Sequence, residues 1–222
     1  MEKNNFKDLY EFMVWLILKT FFRLQWIYDH QCEGFEGNKN SEPITSRLVF
    51  PLFGAHRNYQ NRVSEQELRF VFVETFNDFC CRYGRKLFYS VETPTFDKYS
   101  GYAKGKPKCD EMGRSAEFDL VIYDENYKRV CLIEFKANTP PKSEYDKDYK
   151  KLNNPKEGDE NCLRFFVEIL KNYDKGTMHS IKEKNKGKEG TIFMCYSLEK
   201  QVVISSVKDE YEEISISECL MR

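Results

Sequence analysis

Residues 115–137 read SAEFDLVIYDENYKRVCLIEFKA. Two apolar runs flank Asp124, Glu125 and Asn126, a turn signal, so the stretch predicts a β-hairpin with strands at 117–123 and 129–136. A loop centred between Asn126 and Tyr127 pairs residues whose numbers sum to 253, setting Asp119 opposite Glu134 and Glu117 opposite Lys136. Side chains alternate faces along a strand. One face then carries Phe118, Leu120, Ile122, Cys131, Ile133 and Phe135. The other carries Val121, Tyr123, Val130 and Leu132 near the turn, then Glu117, Asp119, Glu134 and Lys136 at the open end. Carboxylates about 5 Å apart across paired strands repel one another. A divalent cation between them removes that cost, and their oxygens suit Mg²⁺. A lysine one step beyond can hold or deprotonate an attacking water.

The order Asp119, fourteen intervening residues, then Glu134-Phe135-Lys136 resembles the PD-(D/E)XK nuclease superfamily. The resemblance covers roughly residues 64–200. The proline that often precedes the Asp is replaced by Phe118. It implies a restriction-endonuclease-like fold; the helix–strand–hairpin–helix–strand order around an apolar hairpin face itself predicts an α/β sandwich with a central mixed sheet of four or five strands flanked by helices. The resemblance further implies Mg²⁺, with Mn²⁺ able to substitute, held by Asp119, Glu134 and the backbone carbonyl of Phe135. Lys136 is implied to assist the attacking water, and the implied reaction is phosphodiester hydrolysis in DNA. A second match to (D/E)-x-K, Asp148-Tyr149-Lys150, lies in a charged helical segment and reads as solvated.

Upstream, Ser64-Glu65-Gln66-Glu67 forms a capping box that opens a helix over 64–83, closed by Gly84. Leu68, Phe72, Phe76, Phe79 and Tyr83 make its apolar stripe; Glu65 falls within that stripe and Glu67 on the far side. The superfamily often carries an acidic residue on this helix, which implies Glu65 as an auxiliary ligand of metal or water. A first-turn Glu favoured by the helix dipole is the competing reading. A strand over 86–94 follows; its Glu92 either approaches the cluster or sits on a solvated edge.

Farther out, helices are expected at 143–153 and 160–173, a Lys/Gly loop at 182–190, and strands at 191–198 and 201–207. At the N-terminus, Phe6–Tyr28 reads as a long amphipathic helix. Its stripe of Phe6, Tyr10, Met13, Ile17, Phe21 and Leu24 should be buried against the core or a second copy. Its FMVWLIL run is seven residues, against about 20 for a membrane span, so no membrane partner is expected. Residues 31–46 read as a linker and 47–63 as an edge strand or ordered loop, dividing the chain into 1–46 and a nuclease-like domain over 47–222.

Composition fits this plan. The 222 residues are 15% aromatic and 32% charged, too aromatic for disorder, and a domain this long buries roughly 70% of its unfolded surface. A net charge of −1 argues against coating nucleic acid by bulk charge. Basic loops remain: five cations against two acids over 98–114, six against three over 171–190, five against three over 142–156. Lys104, Lys106, Lys108, Arg114, Lys147, Lys150 and Lys151 are the expected phosphate contacts, with Tyr99 and Tyr102 as candidates for base stacking. The eight cysteines include no C-x-x-C pair and read as reduced thiols of a cytoplasmic protein. Two alternatives to the nuclease stand beside it. One is a catalytically inactive nucleic-acid-binding or interaction module on the same fold; the other is an oligomerisation protein built on the N-terminal helix.

Overall fold

Long apolar β-branched and aromatic runs alternating with amphipathic stretches give an α/β chain with one large mixed sheet. The computed structural model describes residues 6–30, 47–53, 60–101, 108–207, 210–216 and 218. Its helices are α1 (Leu9–His30), α2 (Glu65–Tyr83), α3 (Lys142–Leu152) and α4 (Lys175–Asn185). Its strands are β1 (Leu52–Phe53), β2 (Gln60–Asn61), β3 (Phe88–Ser100), β4 (Lys108–Cys109) and β5 (Arg114–Tyr123), followed by β6 (Arg129–Ala137), β7 (Leu163–Leu170), β8 (Ile192–Ser197), β9 (Val202–Val207) and β10 (Glu210–Ser215).

Among the described residues, eight strands form the sheet in the order β10-β9-β8-β7-β6-β5-β3-β4, while β1 and β2 pair separately. That is more than the four or five strands expected. β6, β7 and β8 run parallel, linked through α3 and α4; the other neighbours are antiparallel. One face packs on α1 and α2 through Phe12, Phe21, Phe72, Phe76 and Phe135. The opposite face packs on α3 and α4 through Tyr145, Tyr149, Phe166, Ile181 and Phe193. The hairpin is therefore covered on both sides, and its strand β6 begins the parallel part of the sheet, which is buried on both faces.

Several elements differ from the sequence reading: β3, expected over 86–94, continues through Pro94 to Ser100. Residues 160–173, expected to be helical, contain β7. Its Phe165, Phe166, Val167, Ile169 and Leu170 are all buried, and a run apolar on both faces, broken only by the buried Glu168, has no period that separates strand from helix. The expected loop at 182–190 overlaps the end of α4. That helix shows only Met178 and Ile181 as buried apolar residues among many lysines, and is started by Asp174, whose Oδ1 accepts from Thr177 N at 2.7 Å. The acidic C-terminal stretch supplies β10, an edge strand whose charges discourage pairing with another chain.

α1 is part of the core. Phe12, Met13, Leu16, Ile17, Phe21 and Leu24 are fully buried in the cluster shared with α2 and the sheet, whereas Tyr10 is exposed. Arg23 ties α1 to α2 through Asp78 at 2.5 Å, and Gln25 Oε1 accepts from the Tyr196 hydroxyl of β8 at 2.8 Å. Among the described residues no helix is long and apolar enough to cross a membrane.

Candidate active site

Three pairs keep the register whose numbers sum to 253: Leu120 faces Ile133, Val121 faces Leu132 and Ile122 faces Cys131; at the turn end the register shifts and Tyr123 faces Arg129, so the turn is one residue off the expected centre. The ladder stops one step short of Asp119. On the other side of β5, the position opposite Asp119 is Glu92, a non-glycine residue at φ 48°. At this level the faces slip: Leu120 lies in the α1/α2 layer, but Phe118, expected beside it, lies in the α3/α4 layer. The Asp119 carboxylate takes the place of the missing ladder bond, its Oδ2 accepting from Phe135 N at 2.7 Å. This anchors Asp119 directly to the Glu134-Phe135-Lys136 strand.

Glu134 and Lys136 project into the α3 layer and are nearly fully buried. α3 meets them with Asp148 and Lys151, three residues apart and so on one helix face. Lys151 Nζ lies 2.7 Å from Glu134 Oε1 and 3.1 Å from Asp148 Oδ1, and donates to the Glu117 carbonyl at 2.5 Å. Lys136 Nζ lies 2.9 Å from Asp148 Oδ2 and 3.7 Å from Glu65 Oε1, and donates to the Phe135 carbonyl at 3.0 Å. Asp148 therefore bridges two buried ammonium groups. The two lysines offset part of the carboxylate repulsion expected across the hairpin. Lys136 turns to Asp148 and Glu65, not to Glu117, which is exposed.

Burial dominates the electrostatics and charge pairing decides its outcome. Burial holds the Glu134 carboxyl well above its ordinary value, and Lys151 only partly opposes this. Burial also pushes Asp148 up, but Lys151 and Lys136 together outweigh it and hold this carboxyl low. For both lysines, burial favours the neutral amine, yet the surrounding carboxylates win and keep them charged. Glu65, half-exposed at the edge, is raised by burial and then by Asp119 and Asp148, against Lys136.

Does the cluster fit a divalent cation? Glu65, Asp119, Glu134 and Asp148 bring four carboxylates against two ammonium groups, a deficit of two positive charges when all are ionised. Glu134 Oε1 and Asp148 Oδ2 are buried and receive no aligned hydrogen bond. The donors are carboxylate and carbonyl oxygens, the chemistry Mg²⁺ takes. In charge and donor type the residues fit. Among the described residues, no group of three His, Cys, Asp or Glu side chains is already gathered in a metal-holding arrangement. Asp119, Glu134 and the Phe135 carbonyl would thus be completed by water, once Lys136 leaves that carbonyl.

Behind the cluster, β7 places Glu168 opposite Lys136. Its fully buried carboxylate accepts from the Tyr145 hydroxyl and, at 2.8 Å, from Thr139 N. Thr139 and Asn138, immediately after β6, both hold positive φ, so these bonds fix a strained turn next to Lys136. Burial pushes the Glu168 carboxyl from an ordinary 4.5 up to about 7. The folded state therefore keeps a proton that the unfolded chain has lost. That contribution to stability is full below pH 4.5 and is lost as pH rises towards 7. Urea unfolding across this range should show stability falling with pH, and Glu168→Gln should remove that component.

Of the residues read from sequence, Asp119, Glu134, Lys136 and Glu65 come together here. Glu67 is buried and completes the expected capping box, its carboxylate accepting from Ser64 N at 2.7 Å. Glu92 points elsewhere, 3.3 Å from Arg69 of α2. Lys151, expected at a phosphate, is instead buried among the carboxylates, and Asp148 is buried rather than solvated. Sequence did hold a sign of this, since Asp148 falls within the helical stripe of Tyr145, Tyr149 and Leu152. Lys108, Arg114 and Lys150 are exposed, and Lys147 pairs with Glu144 at 2.8 Å. Lys104, Lys106 and Tyr102 lie outside the described residues. Tyr99 is buried, its hydroxyl accepting from Asn154 Nδ2 at 2.8 Å, which removes it as a stacking surface. Compared with family models, curated proteins and solved structures, the chain matches none of the three.

Proposed function

We propose that the chain is a metal-dependent nuclease of PD-(D/E)XK type that hydrolyses phosphodiester bonds in DNA. One observation carries this reading: Asp119, Glu134 and Lys136 converge where the β5–β6 ladder opens, with Glu65 of α2 3.7 Å from Lys136. Mg²⁺, when bound, supplies Lewis-acid stabilisation of charge on the phosphate. Asp119, the more accessible of the two, and Glu134 would hold it together with the Phe135 carbonyl. Lys136, kept charged by Asp148, Glu134 and Asp119, steadies the attacking water opposite the leaving 3′ oxygen. Glu65 at the rim accepts from that water. Asp148 and Lys151 position the pair from the helix side.

A second reading is favoured by a different observation. Lys136 and Lys151 already satisfy much of the carboxylate charge, as they would in a non-catalytic nucleic-acid-binding module. Divalent ions separate the two. A ligand that binds only the folded state adds about 2.7 kcal/mol at a hundred times its Kd. For a chain of this size that raises Tm by roughly 5–10 °C. The nuclease reading expects this rise with Mg²⁺ or Mn²⁺ and its loss in Asp119→Asn, which keeps an acceptor for Phe135 N. No response in the parent favours the module.

A further inference from the structure

Between Pro94 and Lys98 the pairing of β3 with β5 breaks register, leaving Thr95, Phe96 and Asp97 as a bulge. The bulge is held by an uncommon investment. Glu157, with no solvent exposure, accepts from Phe96 N at 2.9 Å and Asp97 N at 3.0 Å, and pairs with Arg129 at 2.8 Å. Arg129 also donates to the Pro94 carbonyl at 2.8 Å. A buried carboxylate is costly unless its lone pairs are satisfied, and here all its partners serve one short segment. The segment presents Phe96, which is 67% exposed, with the Arg129 guanidinium 3.7 Å from its ring centroid. A phenylalanine fixed from beneath and open to water gains nothing from burial. What the arrangement creates is a rigid aromatic face backed by a cation.

The surroundings say what that face suits. Phe96 lines a cavity of about 550 Å³ with Tyr123, Tyr127, Lys128, Arg129 and Lys156. Tyr127 is 72% exposed. Lys128 and Lys156 are paired only at the surface, with Asp159 and Asp97, contacts of little net strength that a phosphate can replace. The cavity is also close to the carboxylate–lysine cluster. Arg129 and Lys151 lie 6.0 and 5.7 Å from the Phe118 ring centroid, so they are less than 12 Å apart. That is within about three to four base steps of a strand at about 3.4 Å each.

We propose that Phe96 and Tyr127 form a stacking subsite for an unpaired nucleobase of a single strand, with Lys128 and Lys156 taking the flanking phosphates. This rests on the nuclease reading for its substrate class and deepens it, pointing to single-stranded or unwound ends over closed duplex. Stacking on an aromatic side chain is sequence-tolerant and of sizeable strength.

The test is fluorescence anisotropy on the full chain in chelator, with labelled single-stranded DNA and RNA oligonucleotides and a blunt duplex of equal length. Phe96→Ala should weaken single-strand binding roughly five- to hundredfold while leaving duplex binding unchanged. Phe96→Trp should retain the parental affinity. The exposure of Phe96 keeps both substitutions out of the core. Equal single-strand affinity for parent and Phe96→Ala overturns the proposal, as does equal loss on duplex or no single-strand binding by the parent. Binding is read without metal, so a chain that binds single strands through Phe96 and cuts nothing keeps the subsite and loses the nuclease reading.

Discussion

Lys136→Met is expected to lower metal-dependent cleavage at least about a hundredfold, the scale of a positioned acid–base or electrostatic group. Methionine keeps the apolar stem packed among the β6 and α3 side chains and removes only the ammonium group. That group is the one within reach of Asp148, Glu65 and the Phe135 carbonyl. Its loss also frees the carbonyl assigned to the metal. The variant should therefore retain, or strengthen, its thermal response to Mg²⁺ or Mn²⁺ while cutting poorly. A first-order rate on the parent's preferred substrate, with the thermal shift measured alongside, checks both halves.

Asp148→Ala should destabilise the fold by about 3 kcal/mol, the low end of the range for breaking a buried ion pair. Among the described residues, Asp148 is the only carboxylate that pairs with both buried lysines, at 2.9 Å and 3.1 Å. Glu134 and Glu65 remain beside the two ammonium groups, which is why the cost is not higher. Equilibrium urea unfolding reads the change in midpoint directly. A loss within about 0.5 kcal/mol, the scale of an unremarkable surface substitution, would mean that the helix carboxylate is not structurally coupled to β6.

What sequence could reveal here depended on how local the deciding interactions are. Away from the turn, the hairpin register follows from the alternation of apolar side chains, so Asp119, Glu134 and Lys136 were legible as a group, and Glu65 was implied by the resemblance from its place in the apolar stripe of α2. The slip at Asp119 was not legible. It coincides with a positive φ at Glu92, where no glycine signals the conformation. Asp148 and Lys151 sit in a stretch, DKDYKKL, whose charge density resembles a solvated helix. Their partners come from β6, more than ten residues earlier, and only the packing of α3 on the sheet brings them together. β7 was misread because burial on both faces erases period. α4 was missed because two apolar side chains suffice to dock a short helix that is otherwise lysine-rich.

The most direct measurement incubates the purified full chain with labelled DNA and RNA in single-stranded, duplex, flap and junction forms, with Mg²⁺ or Mn²⁺, beside Asp119→Asn. The account predicts cleavage that leaves 5′-phosphate ends, stops when the metal is chelated and is lost in Asp119→Asn while that variant stays folded. Cleavage that survives the chelator or the substitution, or a parent that cuts no substrate with either metal, would contradict it.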